Sequence, residues 1–234
     1  MSPLGWVVVA AIAFVGSHFL LSHPLRAPVT RALGERGFFG LYLLTAWATL
    51  IWLGWAYATM PPETPLWPVG DGLWIVGTVL MYVASVLLIG SFARNPAFPT
   101  RPGTPPPTDV PEPRGVFSVT RHPMMWAFAL WGVTHMLVMP IPSNLVLAGA
   151  IAVLALVGAA LQDRKKEAQQ PERWRAWEAK TSYWPFAAIA AGRTRFTPAG
   201  VVPVLGGLAL WLAATWAHIP LTGWPAGVWK WIGG

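Results

Sequence analysis

Apolar residues along this chain collect into long blocks instead of alternating with polar ones. A helix needs about 17 to 25 such residues to cross a bilayer, and blocks of that size lie near positions 4–22, 38–58, 71–92, 123–141, 144–162 and 200–219. The pattern predicts an all-α, polytopic membrane helix bundle of about six transmembrane helices, forming one membrane domain over residues 1–234. Pro140, Ile141, Pro142 and Ser143 alone separate the fourth and fifth blocks, which reads as a tight helical hairpin. The first block is expected to stay in the protein as a span. It lacks a positive n-region, it continues past Ala11-Ile12-Ala13 to Leu21, and its basic residues come after it.

The polar intervals are uneven in charge. Of 16 Lys and Arg, 15 lie in three stretches, 23–37, 93–121 and 163–199, and the intervals between these carry none. Basic loops stay in the cytoplasm, so the alternation places both termini outside the cytoplasm and three loops inside it. The net charge of +7 is thereby a topology signal, and no basic stripe remains for a nucleic acid. Residues 96–113 hold eight prolines and are expected to form an extended spacer or lid. After the fifth block, Trp174 and Trp177 stand three apart among charges, the pattern of an interfacial amphipathic helix anchored at the headgroups.

Composition narrows the chemistry. Only 11% of residues are charged and 55% are hydrophobic, so lipid is the expected main solvent. The absence of cysteine excludes disulfides, thiolate-ligated haem and cysteine-held iron–sulfur clusters. No GxSxG, HExxH or phosphate-binding glycine loop is present, and no span pairs two carboxylates.

Ionisable groups at membrane depth are functional candidates, and only His18 and His135 sit inside apolar blocks. His18 follows Gly16-Ser17, and His135 follows Trp131-Gly132 with Phe128 a further turn away. Small residues admit a flat macrocycle and aromatic rings cover its faces, so ligation of a cofactor competes here with simple hydrogen bonding between helices. His122 precedes Pro123 beside Arg121, a position suited to capping the fourth helix or meeting a headgroup. His23 and His218 are expected at span ends.

Three segments resemble the NnrU family of denitrification-associated bacterial membrane proteins: Leu33 to Tyr42, Gly115 to Trp126 with its Arg121-His122-Pro123 core, and Thr181 to Arg193 with Trp184-Pro185-Phe186. The same segments are similar to those of cis-zeta-carotene isomerase, a membrane enzyme carrying haem b between two histidines. That resemblance implies haem b as cofactor, with His18 and His135 as the metal ligands. Other histidines of the isomerase fall near Tyr57 and near 153–156 here, where no histidine stands. Haem propionates need cations, for which Arg26, Arg31, Arg36 and Arg121 are candidates. Counted along straight helices, His135 lies roughly 10 Å deeper than His18. A tilted span or a late start to the fourth helix closes that gap; otherwise Met136 or His122 takes the second position.

The function expected from these features is a haem b protein of nitric oxide or denitrification metabolism, or a redox-gated isomerase. Two other readings compete. The Arg-His-Pro segment also resembles the isoprenylcysteine carboxyl methyltransferases, although Met125 and Ala127 replace their tyrosine and glycine. A non-catalytic assembly partner of respiratory reductase components is the third.

Overall fold

A computed structural model describes residues 1–93, 95–98 and 109–232. Arg94, Arg101 and most prolines of the expected spacer lie outside the described residues, whereas the flanking 95–98 and 109–114 are non-helical, as their prolines require. The described residues form helices and no strand. Five helices are long and apolar enough to cross a membrane: α1 (Pro3–Ser22), α2 (Arg26–Ala58), α3 (Asp71–Gly90), α6 (Pro142–Gln169) and α9 (Val201–Thr222). Shorter helices are α4 (Val116–Val119), α5 (Pro123–Val138), α7 (Pro171–Lys180), α8 (Ala187–Ala190) and α10 (Trp229–Ile232). The protein is therefore an all-helical, multi-pass membrane protein. Its contacts divide it into two compact units, Met1–Leu73 with Gly132–Leu154, and Trp74–Trp131 with Ala155–Gly234.

In the first unit, Ser2 caps α1 by accepting the Gly5 N–H at 3.1 Å, and Pro3 starts the helix where no N–H is needed. Val7, Ala10, Ala11 and Phe14 then recur at three- and four-residue steps. That face is buried with Leu53 and Ala56 of α2, and Leu147, Ala150 and Ile151 of α6 pack against it. The opposite side of α2 presents Leu44, Trp47, Ile51 and Trp55, all exposed, a stripe that only lipid can solvate.

The basic segment expected as a loop over 23–37 is mostly helix. The turn is confined to His23–Leu25, and α2 starts at Arg26, because Arg, Ala and Leu are good helix formers whatever the solvent. Gly34 breaks the rise of α2 with φ 72° and ψ 171°, a conformation a side chain would resist. Arg26 reaches across this bend to Glu35 at 3.2 Å and lies 4.6 Å above the Phe38 ring.

The fourth block also differs from expectation, since α5 has 16 residues and is about 24 Å long. Its end is fixed by donors from outside the helix. Trp67 Nε1 donates to the Leu137 carbonyl at 3.2 Å, and the Leu66 N–H donates to Pro140 at 2.8 Å. The Asn144 amide donates to the carbonyls of His135 at 2.9 Å and Met139 at 2.7 Å, adding a second donor to each beside the N–H groups of Met139 and Ile141. Glu63 in turn accepts the Ser143 N–H and hydroxyl and so caps α6. Asn144→Ala removes two of these bonds at a buried position, and we expect it to cost about 1–2 kcal/mol. Thermal unfolding in detergent checks this; an unchanged midpoint would mean that water replaces the amide.

The second unit is built on Ala84 and Leu87 of α3, Val116 and Phe117 of α4, Ala127 of α5, and Trp174 and Trp177 of α7. Helix α7 lies where an interfacial helix was expected, but its two tryptophans are fully buried in this core, with Trp177 edge-on to Phe117 at 6.1 Å. They pack against protein because their shared face meets an apolar surface already formed by α3, α4 and α5. Glu172 and Arg175 take the exposed face instead. Gly207 of α9 lies against the Val86 backbone, leaving a Cβ only 2.8 Å from Val86 Cα.

Candidate functional site

Two histidine sites emerge, one in each unit. In the first, His18 sits on the α1 turn after Phe14, whose carbonyl oxygen lies 2.6 Å from His18 Nδ1. A carbonyl can only accept, so Nδ1 carries the proton and Nε2 keeps its lone pair in the neutral ring. The ring packs edge-on to Phe14 at 4.6 Å and to Tyr42 at 5.6 Å. A Cβ on Gly16 would meet no atom within 4 Å, but two residues before His18 it faces the other side of α1. The sequence reading of Gly132 needs correction. A Cβ there would meet the Ala148 carbonyl oxygen at 2.7 Å and Ala152 Cβ at 3.0 Å, so this glycine serves the approach of α5 to α6.

His135 lies in the same compact unit as His18, half-buried near the end of α5, its carbonyl held by Asn144. Met136 faces Gly149 of α6. Arg31 and Arg36 are exposed on α2, whereas Arg26 is paired with Glu35. His218, at the end of α9, bonds the Ala214 carbonyl at 2.8 Å.

The second site gathers the Arg-His-Pro segment. Pro123 opens α5, as the sequence predicts, and His122 holds its N-cap position, with its carbonyl accepting the Trp126 N–H at 3.0 Å, but its side chain does not meet headgroups. Its ring is buried, with Nε2 at 2.8 Å from Asp163 Oδ1. Arg121 donates to the other oxygen of Asp163 through Nε at 2.9 Å and Nη2 at 2.6 Å, and Nη2 also meets Glu178 at 3.2 Å. One guanidinium thus faces two carboxylates, so Arg121 is committed inside the protein and has no charge left over for a propionate. Asp163 fixes His122 with its proton on Nε2, the opposite tautomer to His18.

Tyr183 ties the third motif segment to this cluster. Its carbonyl accepts from Thr120 Oγ1 at 2.8 Å and from Trp126 Nε1 at 2.9 Å, and its hydroxyl donates to Leu156 at 2.7 Å. Phe186, with φ 64°, is the sole non-glycine residue of positive φ among the described residues, and its N–H bonds Val119 at 2.8 Å. The cleft between Asn95, Met124, Met125, Gln162 and the Arg121-His122 pair is about 20 Å³, room for a single water. It does not admit a nucleoside cofactor.

Asp163 and Glu178 are the members that sequence reading missed. Asp163 looked like the start of a charged loop, yet α6 continues to Gln169. The signal was present: Ala148, Ala152, Ala155 and Ala159 mark the buried face of α6, and the next positions on that face are Asp163 and Lys166, both buried.

The NnrU family model matches residues 6–226, nearly the whole chain. The chain belongs to the NnrU family. No curated protein and no solved structure matches it. Family membership makes this a denitrification-associated membrane protein, and it places all three motif segments of the sequence inside the matched region. In this NnrU-family protein two of those segments, Gly115 to Trp126 and Thr181 to Arg193, are hydrogen-bonded to each other, and the first supplies Arg121 and His122 to the ion cluster.

Glu178 of α7 gives the cluster a pH dependence. Burial, opposed by Arg121, holds its carboxyl above the usual range. A raised folded pKa means stability that is present at acid pH and lost as pH climbs through the upper carboxylate range. We expect Glu178→Gln to lack that decline. Unfolding midpoints of both proteins across pH 4 to 7 check it, and parallel profiles would refute it.

Proposed function

We propose that this protein is a haem b-binding protein of the bacterial inner membrane that serves nitrogen-oxide metabolism, with both termini periplasmic. His18 is its axial ligand. The observation that carries this reading is the short bond from His18 Nδ1 to the Phe14 carbonyl, which holds the ring with Nε2 as the free donor, the state an iron ligand must have. The residues fit the group in other respects. Phe14 and Tyr42 supply aromatic walls, and Arg31 and Arg36 offer exposed cations on the neighbouring helix for propionates. His135, in the same unit, is the second ligand.

Bound haem would supply an iron centre for electron or nitric oxide chemistry. The chain's own part is to orient the His18 imidazole through Phe14 and to keep water away with the α1 and α2 faces. The Arg121–Asp163–Glu178 cluster has a structural role in this reading, because its side chains bond one another.

A reduced-minus-oxidised visible spectrum of detergent-purified protein tests the proposal. A b-type signal is expected in the wild type and in His122→Ala, with loss in His18→Ala and loss or a changed spin state in His135→Ala. A colourless wild type from haem-replete cells, or a His18→Ala spectrum like the wild type, would overturn it.

A further inference from the structure

An apolar cavity lies in the second unit, remote in sequence from either proposed ligand. It measures about 290 Å³ and is walled by Val83, Val86 and Leu87 of α3, Val119 of α4, Val204 of α9 and, ahead of α9, Phe196. Val83, Phe196 and Val204 are exposed at its rim, so it opens outward. A cavity of about 150 Å³ accepts a benzene ring, so this one takes a hydrocarbon chain of about ten carbons.

Its edge is basic. Arg114 immediately precedes the lining residue Gly115, and Arg195 immediately precedes Phe196. The two segments are knit together, since Gly115 N–H donates to Thr197 Oγ1 at 2.6 Å and Thr197 N–H donates to Ser118 Oγ at 3.2 Å. Gly115 has φ 60° and lies 3.3 Å from the Ala199 carbonyl by the position of a Cβ, so the close approach needs glycine. Both arginines are exposed, and neither side chain has a partner among the described residues. Arg193 nearby differs, since its guanidinium is spent on the Glu178 and Thr181 carbonyls, each at 2.8 Å.

We propose that this cavity is a binding site for an anionic phospholipid, one acyl chain inside and the phosphate held by Arg114 and Arg195. An acyl chain gains little by leaving the bilayer for an apolar cavity, so occupancy alone selects no headgroup. Selectivity must come from Arg114 and Arg195. Each is worth about fivefold in anionic lipid binding, or about thirtyfold together.

Native mass spectrometry of the full chain in detergent, titrated with phosphatidylglycerol or phosphatidylcholine of equal chain length, tests this. Phosphatidylglycerol is expected to be retained preferentially, with the preference falling about thirtyfold in Arg114→Gln/Arg195→Gln and persisting in Arg164→Gln, an exposed cation on α6. Val83→Trp, which fills the cavity from its rim, is expected to lower retention of both lipids. Glycerol phosphate should not displace bound lipid. Equal retention of the two lipids by the wild type, unchanged selectivity in the double variant, or displacement by glycerol phosphate would each overturn the proposal.

Discussion

Asp163→Ala is expected to lower the stability of the protein by about 3 kcal/mol, seen as a fall of roughly 6–12 °C in the unfolding midpoint in detergent. The carboxylate accepts from both Arg121 and His122 at 2.6 to 2.9 Å, and its removal leaves a buried guanidinium and a buried imidazole without their main acceptor. Glu178 keeps half of the Arg121 pairing, which holds the loss near the lower end for broken buried pairs. Asp163→Asn retains the volume and one acceptor oxygen and should fall between. A double-mutant cycle with His122→Ala gives the sharper check, because residues of one network are less than additive. Full additivity would show that the two side chains act independently.

Gly132→Val should do comparable damage for a steric reason. The nearest atoms to a new Cβ are the Ala148 carbonyl oxygen at 2.7 Å and Ala152 Cβ at 3.0 Å, with the Ala152 backbone nitrogen at 3.4 Å, and neither backbone nor an alanine Cβ can swing aside. Helices α5 and α6 would have to part, at a cost of about 1–3 kcal/mol for the first carbon and more for the branched pair. Gly206→Ala is the informative comparison, since the nearest atoms to its Cβ belong to a side chain and not to backbone, Ile89 Cγ2 being at 3.1 Å. Gly54→Ala meets nothing within 4 Å and should be neutral. If all three substitutions gave the same midpoint, close helix contact would not be what these glycines provide.

Much of the fold could be read from periodicity alone. The long apolar blocks became helices, and the buried face of α1 follows the Val7, Ala10, Ala11, Phe14 spacing that its sequence displays. What escaped sequence reading depended on contacts between distant segments. The early end of α5 requires Leu66, Trp67 and Asn144, and hydrophobicity over 123–141 carries no trace of them. Trp174 and Trp177 fit a headgroup helix by pattern, and only the apolar surface of Phe117 and its neighbours turns them inward. Within the candidate sites, the histidine types were visible but their tautomers were not. A bond from His18 to a carbonyl four residues earlier, or from His122 to a carboxylate 41 residues away, is a matter of rotamer and tertiary placement.

The shortness of α5 has a bearing on where the protein is comfortable. A hydrocarbon layer is about 30 Å thick, some 6 Å more than the helix spans upright. The segment carrying Leu66 and Trp67 is drawn in to meet its end, so no extra apolar turn can be recruited to lengthen it. Lipids beside this helix must shorten to match it, at a fraction of a kcal/mol for each ångström. Short-chain or loosely ordered lipids therefore suit its surroundings better than long saturated ones.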